Sequence, residues 1–345
     1  MYSPDGAHLR EFNKKPKMAF DETKDFATQQ KAIKKKLMEL LGHTPKKVPL
    51  NPRIEYTENH GTYTERRIVF DVEKDVQAVC LLCIPNDGKQ KHPLVICLQG
   101  HGTGKHISMG RGIYEGDQPD DGDRDVGLQA LERGYAALCL DQRGMGERRT
   151  EMVWNRADKG ATRCHVTSMN ALLIGRTMIG ERCWDVSRAI DLALTFPEID
   201  GDKIICTGNS GGGTATYYAA AYDERIKVAM PSCAFCTYKD SIGAMFHCVC
   251  NFIPKIAEYM DMGDIAAAIA PRKLIVINGQ RDSIFPDHGV REAFETVKKV
   301  YAAAGVPENC AMTTGEGGHR YYKANAWGEF DKMVDWDKLP KTDVF

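Results

Sequence analysis

Long apolar runs are missing from this chain. No stretch approaches the roughly 20 apolar residues that a membrane-spanning helix needs, so we expect no membrane partner. An excess of charge is also missing, since 46 basic residues face 47 acidic ones and the net charge is -1. This balance gives no reason to expect a nucleic acid as a partner. The first residues lead into a charged stretch and not into an apolar signal core, although a signal peptide removed earlier would leave no trace. Because the cysteines described next form no disulfide scaffold, we expect a protein of the reducing cytoplasm.

Cysteine is not scarce, but its distribution argues against a disulfide scaffold. The 12 cysteines are spread over 345 residues, and several lie within apolar runs, where a free cysteine packs as a small hydrophobe. The densest cluster is Cys233-x-x-Cys236 followed by His247, Cys248 and Cys250, whose spacing matches no standard zinc finger. We therefore expect these residues to pack within an apolar lid and predict no metal ligands, with a structural zinc ion as the alternative.

Short, uniformly apolar segments alternate with helix-like stretches from residue 93 onwards. Such segments are typical of strands buried on both faces, and their alternation with helices predicts a doubly wound, mostly parallel α/β sheet. Residues 235–262 do not follow this rhythm, and we expect a short inserted lid there. The apolar segments are 93–98, 136–140, 203–206, 227–230 and 273–277.

The residues before this region follow other patterns. Alternation over 67–72 and 77–85 predicts an antiparallel hairpin that opens the sheet. Apolar residues on one side and lysines on the other predict an amphipathic helix over 25–41. We therefore predict an N-terminal helical extension over 1–60, packed on one core domain over 61–345.

A serine lies at the junction of a strand and a helix in the run Gly208-Asn209-Ser210-Gly211-Gly212. G-x-S-x-G in this context is typical of a nucleophile elbow, a sharp turn that exposes its central serine above the sheet edge. A serine hydroxyl becomes a good nucleophile only when a base removes its proton and a carboxylate orients that base. We therefore predict Ser210 as the nucleophile, followed along the chain by an acid and then by a histidine.

Asp282 is the candidate for the acid. It follows the apolar segment 273–277, and a loop at the carboxyl end of such a strand faces the crevice where ligands bind. Most loop aspartates only cap a turn or a helix, so the position of Asp282 between the elbow and a later histidine carries the assignment. Asp287 is the nearest alternative.

His319 is the candidate for the base. It follows the strand-like segment 309–313 in the run Gly315-Glu316-Gly317-Gly318-His319, whose glycines would let the loop carry the ring to the serine. His101 and His288 are alternatives, but His101 precedes the serine along the chain.

The oxyanion hole needs two backbone amides aimed at the developing negative oxygen. Gly211, directly after the nucleophile, is the candidate for one donor. The loop after the first parallel strand, Gln99-Gly100-His101-Gly102-Thr103-Gly104, would supply the other, with Thr103 favoured over Gly102. A phosphate cradle near Lys105 is the alternative, but the sequence lacks G-x-x-x-x-G-K-[ST]. Arg143 follows the next strand and either braces these loops or is a solvated turn residue.

These motifs together resemble the α/β-hydrolase superfamily, and most closely its acetyl-xylan-esterase-like and dienelactone-hydrolase-like branch. The resemblance spans about 65–335 and is carried by His101-Gly102, Arg143-Gly144, the run 208–212, Asp282 and His319. It implies a serine esterase that deacetylates sugars or related small molecules and needs no metal or organic cofactor. Its partner would be a small-molecule ester, and a homo-oligomer remains open.

The chain departs from the best-known carbohydrate acetyl esterases at two positions. Met145 follows Arg143-Gly144 where those enzymes resemble Arg-Gly-Gln, and Arg320 follows His319 where they resemble His-Glu. Two other functions stay open on the same scaffold. One is a peptidase or amidase, and the other is a non-catalytic binding protein, because a fold alone does not decide function.

Overall fold

The computed structural model describes residues 3–101, 104–114, 117–150 and 164–336, which form a nine-stranded sheet flanked by helices. The strands are β1 (Arg53–Asn59), β2 (Tyr63–Glu73), β3 (Val76–Pro85), β4 (His92–Leu98), β5 (Ala136–Leu140), β6 (Ile199–Asn209), β7 (Ile226–Ser232), β8 (Lys273–Gly279) and β9 (Cys310–Gly315). The helices are α1 (Asp5–Phe12), α2 (Phe26–Leu41), α3 (Val126–Glu132), α4 (Cys164–Leu173), α5 (Met178–Ala193), α6 (Gly211–Tyr222), α7 (Ile256–Tyr259), α8 (Met262–Ile265), α9 (Asp287–Ala303) and α10 (Lys323–Met333). Within these ranges no helix is long and apolar enough to cross a membrane.

The strands lie in the order β1-β2-β3-β5-β4-β6-β7-β8-β9 across the sheet. The pairings from β1 to β5 are antiparallel, and those from β5 to β9 are parallel. The predicted α/β sheet opened by an antiparallel hairpin is therefore confirmed, with Val69 of β2 opposite Val79 of β3. The sequence pattern predicts no strand for residues 53–59, yet they form β1. All of its residues are exposed, and its apolar alternation is limited to Ile54 and Tyr56, which is too short to predict a strand.

The sheet is buried on both faces. Successive side chains of a strand point to opposite faces, so β4 contributes to two apolar layers. Leu94, Ile96 and Leu98 pack in the layer with α5, α6 and α9. Val95 and Cys97 pack in the opposite layer with α3 and α10. This double burial explains why the parallel strands are uniformly apolar in sequence.

The helix predicted near the N-terminus is confirmed as α2. Ile33, Leu37 and Leu41 recur every four residues along it and are buried against the core. Asp25 accepts a hydrogen bond from an amide of the first turn at 2.8 Å, and Gly42 ends the helix with a left-handed φ of 66°.

The carboxyl ends of β6, β7, β8 and β9 lie side by side along one edge of the sheet. Asn209 at the end of β6 pairs with Ser232 at the end of β7, and Gly279 of β8 pairs with Gly315 of β9. The loops that follow these strands therefore start at the edge where open α/β sheets bind their ligands.

Candidate active site

Ser210 occupies a strained turn between β6 and α6. Its φ of 56° and ψ of -122° lie outside the regions that L-residues normally adopt, at a cost of about 1–3 kcal/mol. Two hydrogen bonds hold the turn, because the Ser210 amide donates to the Ser232 carbonyl at 2.9 Å and the Thr214 amide donates to the Ser210 carbonyl at 2.8 Å. Such strain is typical of a nucleophile elbow.

The glycines around Ser210 allow the strand and the helix to pass closely. A Cβ atom on Gly208 or on Gly212 would collide with the carbonyl oxygen of Leu98. Any larger residue at these positions would push the elbow away from β4, so the local sequence is dictated by this approach.

Asp282 and His319 are brought together by the loops after β8 and β9. The Nδ1 atom of His319 lies 2.8 Å from Oδ2 of Asp282, and Oδ1 of Asp282 accepts the amides of Ile284 and Phe285 at 2.8 and 3.1 Å. Burial acts to raise the pKa of Asp282, but His319 and these amides outweigh it and hold the pKa below its ordinary value. The ring of Phe285 stacks on that of His319, with centroids 6.0 Å apart.

The elbow and the histidine loop are linked through Ser232. Its hydroxyl donates to the side-chain oxygen of Asn209 at 3.1 Å and lies 3.5 Å from the carbonyl oxygen of Arg320. Among the described residues no hydrogen bond joins the side chains of Ser210 and His319. The two residues lie on loops that leave the same edge of the sheet, after β6 and after β9.

The alternative acid and histidines have other partners. Asp287 accepts from Asn278 at 2.8 Å and from Arg291 at 2.6 Å, and no hydrogen bond between Asp287 and a histidine is found among the described residues. His288 is 72% exposed and faces Asp240 at 3.5 Å.

The loop after β4, which is predicted to supply the second oxyanion donor, lies close to the elbow. A Cβ atom on Gly100 would lie 3.4 Å from the Cβ of Ser210, and one on Gly211 would lie 2.8 Å from the ring of His101. Gly102 and Thr103, the candidates for the second donor, lie outside the described residues.

Lys105, the side chain that suggested a phosphate cradle, is buried between carboxylates. Its ammonium group lies 3.1 Å from Asp141 and also pairs with Glu147. These two partners already balance its charge, so the side chain is not presented to an anion.

Arg143 is buried and not solvated. Its guanidinium donates to both carboxylate oxygens of Asp185, at 2.8 and 2.9 Å, and to Glu73 at 3.2 Å. Burial alone would raise the pKa of Asp185, but Arg148 and Arg143 hold it below its ordinary value. The neighbouring Gln142 donates to the Gln99 carbonyl at 2.6 Å, so this turn supports the loop after β4.

The cysteines considered for zinc separate into different environments. Cys233 lies with Asp282 and His319, and burial followed by the charge of Asp282 raises its pKa to about 12, so it stays a thiol. The sulfur of Cys236 contacts the Pro286 carbonyl at 3.8 Å.

Cys248 and Cys250 instead meet His101 and Cys164. The sequence reasoning missed this group because its members come from three distant segments, and no spacing along the chain reveals such a set.

Comparison with known proteins agrees with the observed fold. The model of the Abhydrolase family matches residues 7–327. A relative named "Putative hydrolase YtaP", from Bacillus subtilis (strain 168), is 25% identical over 293 residues, which are 83% of this chain and 92% of that protein. The predicted resemblance to α/β-hydrolases is thereby confirmed.

Solved structures of esterases share the fold. A "putative acetyl xylan esterase" from Bacteroides fragilis NCTC 9343 has a TM-score of 0.76 at 21% identity, covering 99% of this chain and 87% of its own. Glucuronoyl esterase from Solibacter usitatus has a TM-score of 0.66 at 14% identity, over 88% and 91% of the two chains. Acetyl Xylan Esterase 1 from Thermoanaerobacterium sp. JW/SL YS485 has a TM-score of 0.60 at 14% identity, over 96% and 98%.

Proposed function

Because this chain belongs to the Abhydrolase family, we propose that it is a serine carboxylic-ester hydrolase in which Ser210, His319 and Asp282 form the catalytic triad. The observation that carries the proposal is the partly buried Asp282–His319 contact at the sheet edge where Ser210 is held in a strained turn. The catalytic domain is 61–345, the lid is 235–262, and residues 1–60 form an extension that adds β1 to the sheet.

The contact at Nδ1 supports the role that we assign to the imidazole. Nδ1–H donates to the carboxylate of Asp282, which leaves Nε2 as the base. His319 takes the proton of the Ser210 hydroxyl as its oxygen attacks the ester carbonyl carbon. The negative oxygen that forms is stabilised by the amides of Gly211 and Thr103.

Collapse of this intermediate completes the first half of the reaction. The bond to the alcohol breaks, His319 returns the proton to the leaving oxygen, and an acyl-serine remains. Water then attacks the acyl group with His319 as base, which releases the carboxylic acid and restores Ser210.

Acetylated carbohydrates are the substrate class that we propose. The structural neighbours named as acetyl xylan esterases support this choice. Purified protein assayed on p-nitrophenyl esters of increasing acyl length and on an acetylated sugar tests it. We expect a preference for acetyl esters and release of acetate from the sugar.

A fluorophosphonate probe tests the chemistry separately. We expect covalent labelling of Ser210, located by mass spectrometry. Peptide cleavage without ester turnover would favour the amidase alternative, and no labelling at Ser210 would favour a non-catalytic scaffold.

A further inference from the structure

Four side chains that share no local motif meet beside the nucleophile elbow. They are His101, Cys164, Cys248 and Cys250, and their potential ligand atoms all lie within 4.8 Å of one another. Nε2 of His101 is 2.9 Å from the sulfur of Cys250, and the sulfurs of Cys164 and Cys248 are 3.0 Å apart. We propose that these four residues bind one structural zinc ion.

The donor set fits zinc. Three cysteines and one histidine are a common ligand set of structural zinc sites, which are tetrahedral and closed by four protein ligands. Zinc–ligand bonds of about 2.0–2.3 Å place the donor atoms of such a tetrahedron roughly 3.5–3.8 Å apart. Two of the donor–donor separations here are 2.9 and 3.0 Å, and all donor atoms lie within 4.8 Å of one another. Shifts of about 1 Å or less would therefore seat the ion.

A buried arginine provides a charge that suits this site. On binding, the three thiols release their protons to solvent, so zinc with three thiolates and a neutral imidazole carries one net negative charge. Arg182 is 2% exposed and lies beside Cys164 and Cys250. Its guanidinium donates to the Arg143 carbonyl at 2.9 Å, and within the described part of the chain it pairs with no carboxylate. A buried cation needs a counter-charge, which the metal–thiolate group supplies.

The proposed ion would join three parts of the molecule. His101 belongs to the loop after β4, Cys164 begins α4, and Cys248 and Cys250 belong to the lid. The ring of His101 packs over Gly211, the first residue of α6. All four coordination positions are filled by protein, so the ion would fix these loops relative to the elbow without contacting substrate.

The metal content of the full-length protein tests the proposal. After expression with added zinc and dialysis against metal-free buffer, we expect inductively coupled plasma mass spectrometry to find about one zinc ion per chain. Cys248→Ser should lose most of this zinc. Cys310→Ser is the matched control, because Cys310 is also partly exposed but contacts Pro307 at the edge of β9, and it should retain the ion.

Substitution of Co²⁺ for zinc in the wild-type protein provides a second test, which does not depend on whether Cys248→Ser folds. Wild-type protein loaded with Co²⁺ should show the absorption bands of tetrahedral cobalt with thiolate ligands. Folded wild-type protein with far less than one zinc per chain would overturn the proposal. So would unchanged zinc in Cys248→Ser, or a Cys164–Cys248 disulfide in protein alkylated at the moment of lysis.

Discussion

Nδ1 of His319 lies 2.8 Å from Oδ2 of Asp282, and the Asp282 side chain has no exposed surface whereas that of His319 is 22% exposed. The acid is thus shielded from water and held by two backbone amides, while the histidine reaches solvent. This asymmetry fits a carboxylate that orients an imidazole and an imidazole that meets a substrate.

Replacement of Asp282 should separate its chemical role from its structural one. Asp282→Asn keeps the shape but favours the wrong imidazole tautomer, so we expect kcat for p-nitrophenyl acetate to fall by about 10⁴-fold. Asp287→Asn, which alters a carboxylate bonded to Asn278 and Arg291, should change kcat little. Equal losses in the two variants would contradict the assignment of the acid.

Arg143 should contribute strongly to stability. Arg143→Met removes the guanidinium that donates hydrogen bonds to the buried carboxylates of Asp185 and Glu73. Because these carboxylates then lose part of their compensating positive charge, we expect the free energy of unfolding to fall by about 3–5 kcal/mol. Urea denaturation measures this change. Arg53→Met is the control, because its pair with Glu55 is exposed and should be worth less than about 1 kcal/mol.

His43 should make the protein less stable in mild acid. Burial first, and then the charge of Arg143, lower its pKa from 6.5 to about 4 in the folded state. The unfolded chain therefore binds a proton that the folded chain does not between these values, and stability falls as the pH drops from 6.5 towards 4.

The contribution of His43 can be isolated by substitution. Between pH 6.5 and 4.5 the wild type should lose on the order of 2 kcal/mol more unfolding free energy than His43→Gln. Urea denaturation of both proteins across this pH range measures the difference. Parallel pH profiles for the wild type and His43→Gln would show that this histidine does not titrate as described.

The fold can be predicted from the sequence where a residue pattern has a single structural cause. The parallel strands are recognisable because both faces are buried, and the elbow is recognisable because Gly208 and Gly212 must pass the Leu98 carbonyl. The exposed strand β1 escapes prediction because it has no buried face. The environment of Arg143 also escapes it, since the partners Asp185 and Glu73 come from distant elements.

Sites whose residues come from distant segments of the chain are also difficult to predict from the sequence. In the sequence, Cys248 and Cys250 lie nearest to Cys233 and Cys236, and the four are therefore considered together as a possible zinc site. In the folded chain, Cys248 and Cys250 instead lie beside His101 and Cys164. Only the arrangement of the loops at the sheet edge decides between these sets.

The turnover of p-nitrophenyl acetate by Ser210→Ala, measured beside the variant Ser3→Ala of an exposed serine near the N-terminus, tests the proposed triad most directly. With both proteins folded by circular dichroism, we expect kcat to fall by about 10⁴-fold or more in Ser210→Ala and to stay near the wild-type value in Ser3→Ala. Undiminished turnover in Ser210→Ala would contradict the assignment of Ser210 as the nucleophile.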